Sequence, residues 1–542
     1  MRKVWIFLFS IIVLATFLRF WQLGKVPIAP DWDEVSLGYN AYSILQTGKD
    51  EYGKFMPIIL RSFDDYKPAL YTYLAIPTVK LFGLNLVAVR IPSAIFGVLA
   101  VFITFFLIKE LFKKDSLALL SSFLLAISPW HIQFSRVGFE ANVGVTLNLL
   151  FILCFFKAFR NPKFLFLSAL FAGLSLHVYQ SEKVFVPLLL AALFLIFRKE
   201  FLSIPKKYIT ISFIIGFILA IPIAWFILSN RNALLRAQGV SIFSDQTPFL
   251  SRTVKKLQND SLTNDKLGLI LDNRRVTYAI AIASGYLSHF DFNWLFIKGD
   301  LGRHHAPGMG LLYLFELPFL LIGIYTLVFG KFDKKTKFFI LSWFLIVPIP
   351  ASITTGVPHP IRTLNFLPLW QIFTAIGILS FLAFLKTKKP FLRYCAVAVV
   401  LVAAAFNFIY YLDQYFVQQN YFTAQDWQYG YKKIVTQLST MKNVKRVIVS
   451  NKGNMDQSYM FFLFYLKYNP ATYQKEAVYN PSGGFRETHK FGMYEFRPIA
   501  WGSEKRGEGT VYIGTPNDFP SNVSILYSVY YPNGTKAMEI VK

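Results

Sequence analysis

The chain has 542 residues, 54% of them hydrophobic, 18% aromatic and only 16% charged, against roughly 25% charged in soluble domains. This balance excludes an ordinary soluble globular protein and points to a polytopic membrane protein. The formal net charge of +26 is read as Lys and Arg gathered in short loops between apolar spans rather than as a nucleic-acid surface, and Cys154 and Cys395, both in apolar runs, offer neither a disulfide framework nor a cysteine metal site.

In chain order, Met1-Arg2-Lys3 precedes an apolar run from Val4 to Phe20. No small-residue cleavage site follows, so this is expected to be an uncleaved first span. Immediately beyond it stands the acidic cluster Asp31-Trp32-Asp33-Glu34, ahead of an amphipathic helix carrying Val35, Leu37, Tyr39, Ala41, Tyr42 and Leu45. Acids at a helix start serve as caps, and Asp31 is assigned that role. The adjacent Asp33 and Glu34, at a membrane exit, are taken as the candidate catalytic carboxylates.

The same loop ends in Asp64-Asp65-Tyr66-Lys67-Pro68, where Lys67 is suited to holding a phosphate. Residues 69–83 contain Pro77 and Lys80 and are read as an interfacial helix rather than a span. A crossing helix needs about 20 predominantly apolar residues. Eleven candidates lie near 4–20, 86–108, 116–132, 139–157, 163–178, 184–197, 208–229, 309–329, 338–354, 363–385 and 391–412.

With the amino terminus in the cytoplasm, every inside loop is basic, for example Lys109, Lys113 and Lys114, or Lys386, Lys388, Lys389 and Arg393. The short outside loops carry isolated cations, Arg136, Lys183 and Arg362. This asymmetry sets the expected topology. It places loops of about 21–85 and 230–308 and the tail from 413 on the extracytoplasmic face of the plasma membrane.

The outer turns carry further polar residues. His131, Arg136 and Glu140 bracket one turn, and His177, Tyr179, Glu182 and Lys183 mark the next. Arg303-His304-His305 precedes Pro307-Gly308, and in Pro358-His359-Pro360-Ile361-Arg362 two prolines fix a histidine and an arginine at a membrane exit. Interfacial anchoring is the plain reading of such residues. An anionic lipid head group is the functional one. The paired histidines suggest a divalent metal, with no third ligand specified. Glu316, inside a span, needs a partner or a cavity.

Residues 413–542 are expected to form a small α/β domain. Its helical stretches are Gln425 to Met441 and Asp456 to Tyr468, and its strands lie at Arg446 to Ser450, Thr510 to Ile513 and Ser524 to Tyr531. Asn533-Gly534 closes a hairpin. No internal repeat is evident, which weighs against the second reading, a transporter or flippase of lipid-linked intermediates.

A carboxylate among several cations suits sugar transfer from a polyprenyl phosphate. The leaving group is already anionic, so its departure needs cations, while an incoming hydroxyl needs a base. In-line attack would invert the anomeric centre. Over roughly residues 1–385 the sequence resembles the GT-C membrane glycosyltransferases of the family 39-like group, which includes protein O-mannosyltransferases and the aminoarabinose transferases of lipid A. The resemblance is carried by Asp33-Glu34 in the first external loop, by Lys67-Pro68-Ala69-Leu70-Tyr71, and by Ser128-Pro129 through Ser135-Arg136 to Glu140.

It implies a GT-C domain over 1–412 and Asp33 as the base or acceptor-positioning residue, with Glu34 at its side. Arg136, His359 and Arg362 are implied to contact the lipid phosphate. Lys67, Glu140, Lys183 and His305 complete the substrate-binding set. Where many relatives have an aspartate after the Ser-Arg pair, this chain has Glu140. The tail does not resemble the MIR domains of eukaryotic protein mannosyltransferases, and the acceptor is a hydroxyl on protein, glycan or lipid.

Overall fold

The structure is a computed structural model that describes residues 2–63, 65–230, 239–243, 247–483 and 486–542. Asp64, singled out beside Lys67, lies outside the described residues. The chain is mainly α-helical, with helices at all eleven expected spans and a sheet domain at its end.

The membrane part begins with α1 (Arg2–Phe20). The first external loop holds α2 (Trp32–Thr47), the hairpin strands β1 (Ile59–Ser62) and β2 (Asp65–Pro68), and α3 (Leu70–Phe82). Then come α4 (Leu86–Phe112), α5 (Asp115–Ile127), α6 (Pro129–Ser135), α7 (Glu140–Ala158), α8 (Phe164–Ser175), α9 (Glu182–Leu202) and α10 (Lys206–Ser229). The second external loop carries α11 (Thr247–Leu262), α12 (Lys266–Leu271) and α13 (Arg274–Ser288). The bundle resumes with α14 (Glu316–Phe329), α15 (Lys334–Ile346), α16 (Leu369–Leu385) and α17 (Pro390–Asp413).

Six of the described helices are long and apolar enough to cross a membrane, and α5 with α6, bent by 60° at Ser128, makes a seventh if taken as one span. α8 and α14, with 12 and 14 residues, are shorter than a 30 Å hydrocarbon core requires at 1.5 Å per residue. Two apolar helices approach closely where α14 and α16 present glycine. A Cβ on Gly323 would lie 1.8 Å from the Phe373 carbonyl oxygen, and one on Gly377 would lie 1.8 Å from that of Phe319. Small residues thus permit backbone contact in place of a hydrophobic drive that lipid does not supply.

The tail has α18 (Tyr431–Leu438), β3 (Arg446–Val449), α19 (Ser458–Leu466), α20 (Pro470–Glu476), β4 (Val478–Gly483), β5 (Arg486–Phe491), β6 (Tyr494–Phe496), β7 (Thr510–Gly514), β8 (Ile525–Tyr530) and β9 (Lys536–Val541). The strands form one mixed sheet in the order β4-β5-β6-β3-β7-β9-β8, with β3 parallel to β6 and β7. The expected Asn533-Gly534 turn joins antiparallel β8 and β9. The strands β4 to β6 were not anticipated.

The tail and the first loop share one hydrophobic core. Val35, Tyr39 and Ala41 of α2, Val89 of α4 and Phe461, Phe462 and Phe464 of α19 belong to it. Gly38 lies where an added Cβ would meet Val89 on one side, at 2.5 Å, and Phe464 on the other, at 2.9 Å. α2 is therefore clamped between bundle and tail, which fixes the direction of its first turn.

Candidate active site

That first turn is organised by a capping box. The Asp31 carboxylate accepts the backbone N–H of Asp33 at 2.8 Å, while Glu34 accepts that of Asp31 at 3.2 Å. These bonds satisfy donors that a helix start leaves unpaired. Asp33 then projects from the turn into a cavity of about 560 Å³, where it is ion-paired with Lys67 of β2. The antiparallel hairpin β1-β2 carries Lys67 to that position, and the ammonium lies 5.0 Å from the Phe63 ring centroid.

Three other cation-bearing segments reach the cavity. Arg303 donates to the other Asp31 oxygen at 2.7 Å, and its guanidinium stacks 4.9 Å over the Trp32 ring. Gln133 of α6 donates to the Arg303 backbone carbonyl at 2.6 Å, which ties the second loop to the bundle. At the start of α9, Lys183 donates to the Gln180 side-chain oxygen at 2.6 Å, and the Gln180 amide donates to the Tyr66 carbonyl at 2.8 Å. Arg362 donates to the Thr354 hydroxyl at 2.5 Å and to the Thr355 carbonyl at 2.7 Å. Glu140, the first residue of α7, lines the same space and is 6% exposed.

His359 reaches the cavity from the same segment as Arg362. Its backbone N–H donates to His289 Nε2 at 3.2 Å, and its ring lies 5.2 Å from that of His304. Burial, reinforced by Arg362 and His304, holds its pKa well below the ordinary histidine value. His359 thus stands neutral at pH 7, a hydrogen-bonding group rather than a cation. Asp31 moves the opposite way. Burial pushes its carboxyl up to about 6, with Arg303 opposing the shift.

The cavity therefore brings together Asp33, Lys67, Glu140, Lys183, His359 and Arg362 from the expected set. Three others are placed elsewhere. Glu34, expected beside Asp33 as a catalytic carboxylate, is fully buried against Arg90 of α4. The guanidinium meets its two oxygens at 2.8 and 3.0 Å, and the Gly138 N–H donates at 2.8 Å. Arg136, expected at a lipid phosphate, is also fully buried and donates to the carbonyls of Leu18, Arg19 and Val26 at 2.8, 3.1 and 3.0 Å. It closes the carboxyl end of α1. His305 turns its Nδ1 to the Ala306 carbonyl, 2.9 Å away, and does not line the cavity. Among the described residues no group of three or more His, Cys, Asp or Glu is arranged to hold a metal ion.

Some lining residues lay outside the sequence reading. Phe139 and the tail residue Gln457 had no local signal, and Val240, Ser241 and Phe243 lie in the second external loop within no motif. Arg90 did carry one: an arginine inside an apolar run needs a partner, although nothing in the sequence names Glu34, 56 residues away, as that partner.

Residues 66–226 match the family described as dolichyl-phosphate-mannose-protein mannosyltransferase. None of the curated proteins matches the sequence. Among solved structures, ArnT from Cupriavidus metallidurans bound to undecaprenyl phosphate superposes with a TM-score of 0.56 at 10% identity, over 98% of this chain and 97% of that one. Its apo form gives 0.55 at 11% identity, over 100% and 98%. The archaeal oligosaccharyltransferase AglB from Archaeoglobus fulgidus, in complex with an inhibitory peptide and a dolichol-phosphate, gives 0.50 at 13% identity over 85% of this chain. This chain spans only 63% of AglB. The fold is the GT-C architecture of membrane glycosyltransferases, in a multi-pass membrane protein.

Proposed function

We propose that the chain is an inverting glycosyltransferase that moves a sugar, mannose or a related hexose or pentose, from a polyprenyl-phosphate donor to a hydroxyl acceptor. The observation that carries this reading is the single cavity in which the Asp33 carboxylate stands among Lys67, Lys183, Arg303 and Arg362. The family match over 66–226 and the undecaprenyl phosphate bound by ArnT support the donor class.

In this reading Asp33 accepts the proton of the attacking hydroxyl as the new glycosidic oxygen–carbon bond forms. The bond from the anomeric carbon to the phosphate oxygen breaks, and its electrons leave with the phosphate. Lys183, Arg303 and Arg362 balance the charge that develops there, a contribution that grows in a site shielded from water. His359 supplies a neutral hydrogen bond. Lys67 holds the Asp33 side chain in the cavity.

Each of these side chains lies in a segment that the loop-charge pattern assigns to the extracytoplasmic face. We place the reaction on that face, with the amino terminus in the cytoplasm. The acceptor is a protein, a cell-envelope glycan or a lipid.

The test uses purified chain in nanodiscs with a panel of radiolabelled polyprenyl-phosphate sugars and envelope extracts as acceptor. Transfer from at least one donor is the expected result. Movement of intact lipid-linked sugar across the bilayer, with no transfer from any donor, would instead identify a flippase.

A further inference from the structure

The second external loop presents an apolar surface for which the cavity has no use. At the corner between α11 and α12, Leu262, Leu267, Leu269, Ile270 and Leu271 are 85, 64, 41, 63 and 52% exposed. Five large apolar side chains within ten residues are displayed outside the expected spans. α13 continues the surface: Ile280 and Leu287, seven residues apart and so on one helical face, are 64 and 65% exposed. Contiguous apolar patches on an external element mark an interaction site.

The position of α13 indicates what covers the patch. Its Tyr286 hydroxyl donates to the Leu345 carbonyl at 2.8 Å, and an added Cβ at Gly285 would meet the Ser352 carbonyl oxygen at 3.0 Å. α13 is therefore fastened along the second half of the expected ninth span, from Leu345 to Ser352. There Leu345 and Ile349 are themselves 53 and 37% exposed, as side chains facing lipid would be. Leu287 and Ile282 of α13 line one open apolar depression with Ile349, so the exposed face of α13 adjoins the bundle.

Charge narrows the choice of lipid. Between Thr247 and Ser288 the loop carries six cations, Arg252, Lys255, Lys256, Lys266, Arg274 and Arg275, against three carboxylates. Of these, Asp260 is buried and Asp272 is engaged by Lys256 at 2.5 Å. Exposed Lys266, Arg274 and Arg275 flank the apolar corner. Exposed apolar side chains bordered by cations form the pattern of an element that lies in an anionic lipid interface.

We propose that α11 to α13 form a docking paddle that inserts the α11–α12 corner into the anionic lipid surface at the cavity end of the bundle. The loop enters beside the cavity at Val240, Ser241 and Phe243, and Phe243 packs on Tyr278 of α13 with ring centroids 4.6 Å apart. Docking thus braces one wall of the site against the membrane.

The test needs no sugar transfer, so its outcome is independent of the proposed activity. In a Cys395→Ser background, with buried Cys154 retained, an environment-sensitive fluorophore is placed at Leu267→Cys, Ile270→Cys or the exposed tail position Lys505→Cys. The protein is assembled at one copy per nanodisc in phosphatidylcholine alone or mixed with phosphatidylglycerol, with doxyl-labelled lipid as quencher. Probes at 267 and 270 are expected to be blue-shifted and quenched several-fold more than the probe at 505. Lys266→Glu with Arg274→Glu and Arg275→Glu is expected to reduce that quenching in the anionic discs. Quenching at 270 no greater than at 505 in both lipids overturns docking. Equal quenching in neutral and anionic discs, unaffected by the charge reversals, overturns the anionic specificity. Shielding seen only when two copies share a disc assigns the surface to a second copy instead.

Discussion

In the first turn of α2 one carboxylate faces the cavity and its neighbour faces protein. Asp33 is 26% exposed on its side chain beside Lys67, whereas Glu34 and Arg90 are both fully buried. Removing one member of a buried pair leaves an uncompensated charge and costs roughly 3–5 kcal/mol. Glu34→Ala is therefore expected to lower the thermal unfolding temperature and the yield of folded protein, and Asp33→Asn to leave both unchanged, as followed by fluorescence-detected unfolding. The Asp31 carboxyl supplies a pH dependence. Its folded value of about 6 lies above the ordinary 3.8, so its contribution to stability is greatest when protonated, below about pH 4, and is lost as pH rises through 6. The same ionisation sets a carboxylate against Arg303. The KM for the phosphate donor is expected to rise between pH 5 and 7, and Asp31→Asn, which preserves the cap, is expected to flatten that rise.

At the scale of elements, the capping role of Asp31 and the start of the following helix were legible from residues adjacent in sequence, whereas the hairpin that carries Lys67 was not. The fates of Glu34 and Arg136 were not, because their partners are remote: Arg90 lies 56 residues from Glu34, and Leu18 lies 118 from Arg136. Local pattern reports caps and faces, while a buried ion pair between helices depends on packing. Arg136 holds the end of α1, and each charge-assisted hydrogen bond is worth roughly 1.5–3 kcal/mol. Arg136→Gln is expected to lower the unfolding temperature by several degrees with an unchanged KM for donor in the protein that remains folded. A raised KM at unchanged stability would return Arg136 to the phosphate site. Steady-state kinetics and melting curves on the same preparation separate the two.

For the whole molecule, composition and loop charge were enough to read a polytopic helical protein with a terminal α/β domain, and helices occur at every expected span. The shared core of α2 and α19 was not legible, since apolar runs do not name their partners across more than four hundred residues. This core holds the tail against the cavity, where Asp456 and Gln457 form part of the wall. The orientation follows from charge alone and makes a direct prediction. In sealed cells, with Cys395 replaced, an impermeant maleimide is expected to label Lys505→Cys from outside and Lys388→Cys only after permeabilisation. The role of Asp33 as base is measured by single-turnover transfer from the active radiolabelled polyprenyl-phosphate donor, comparing wild type with Asp33→Asn in nanodiscs. If Asp33 is the base, the transfer rate of Asp33→Asn falls roughly 100- to 10,000-fold with donor still bound and the protein equally stable; an unchanged rate would exclude that role.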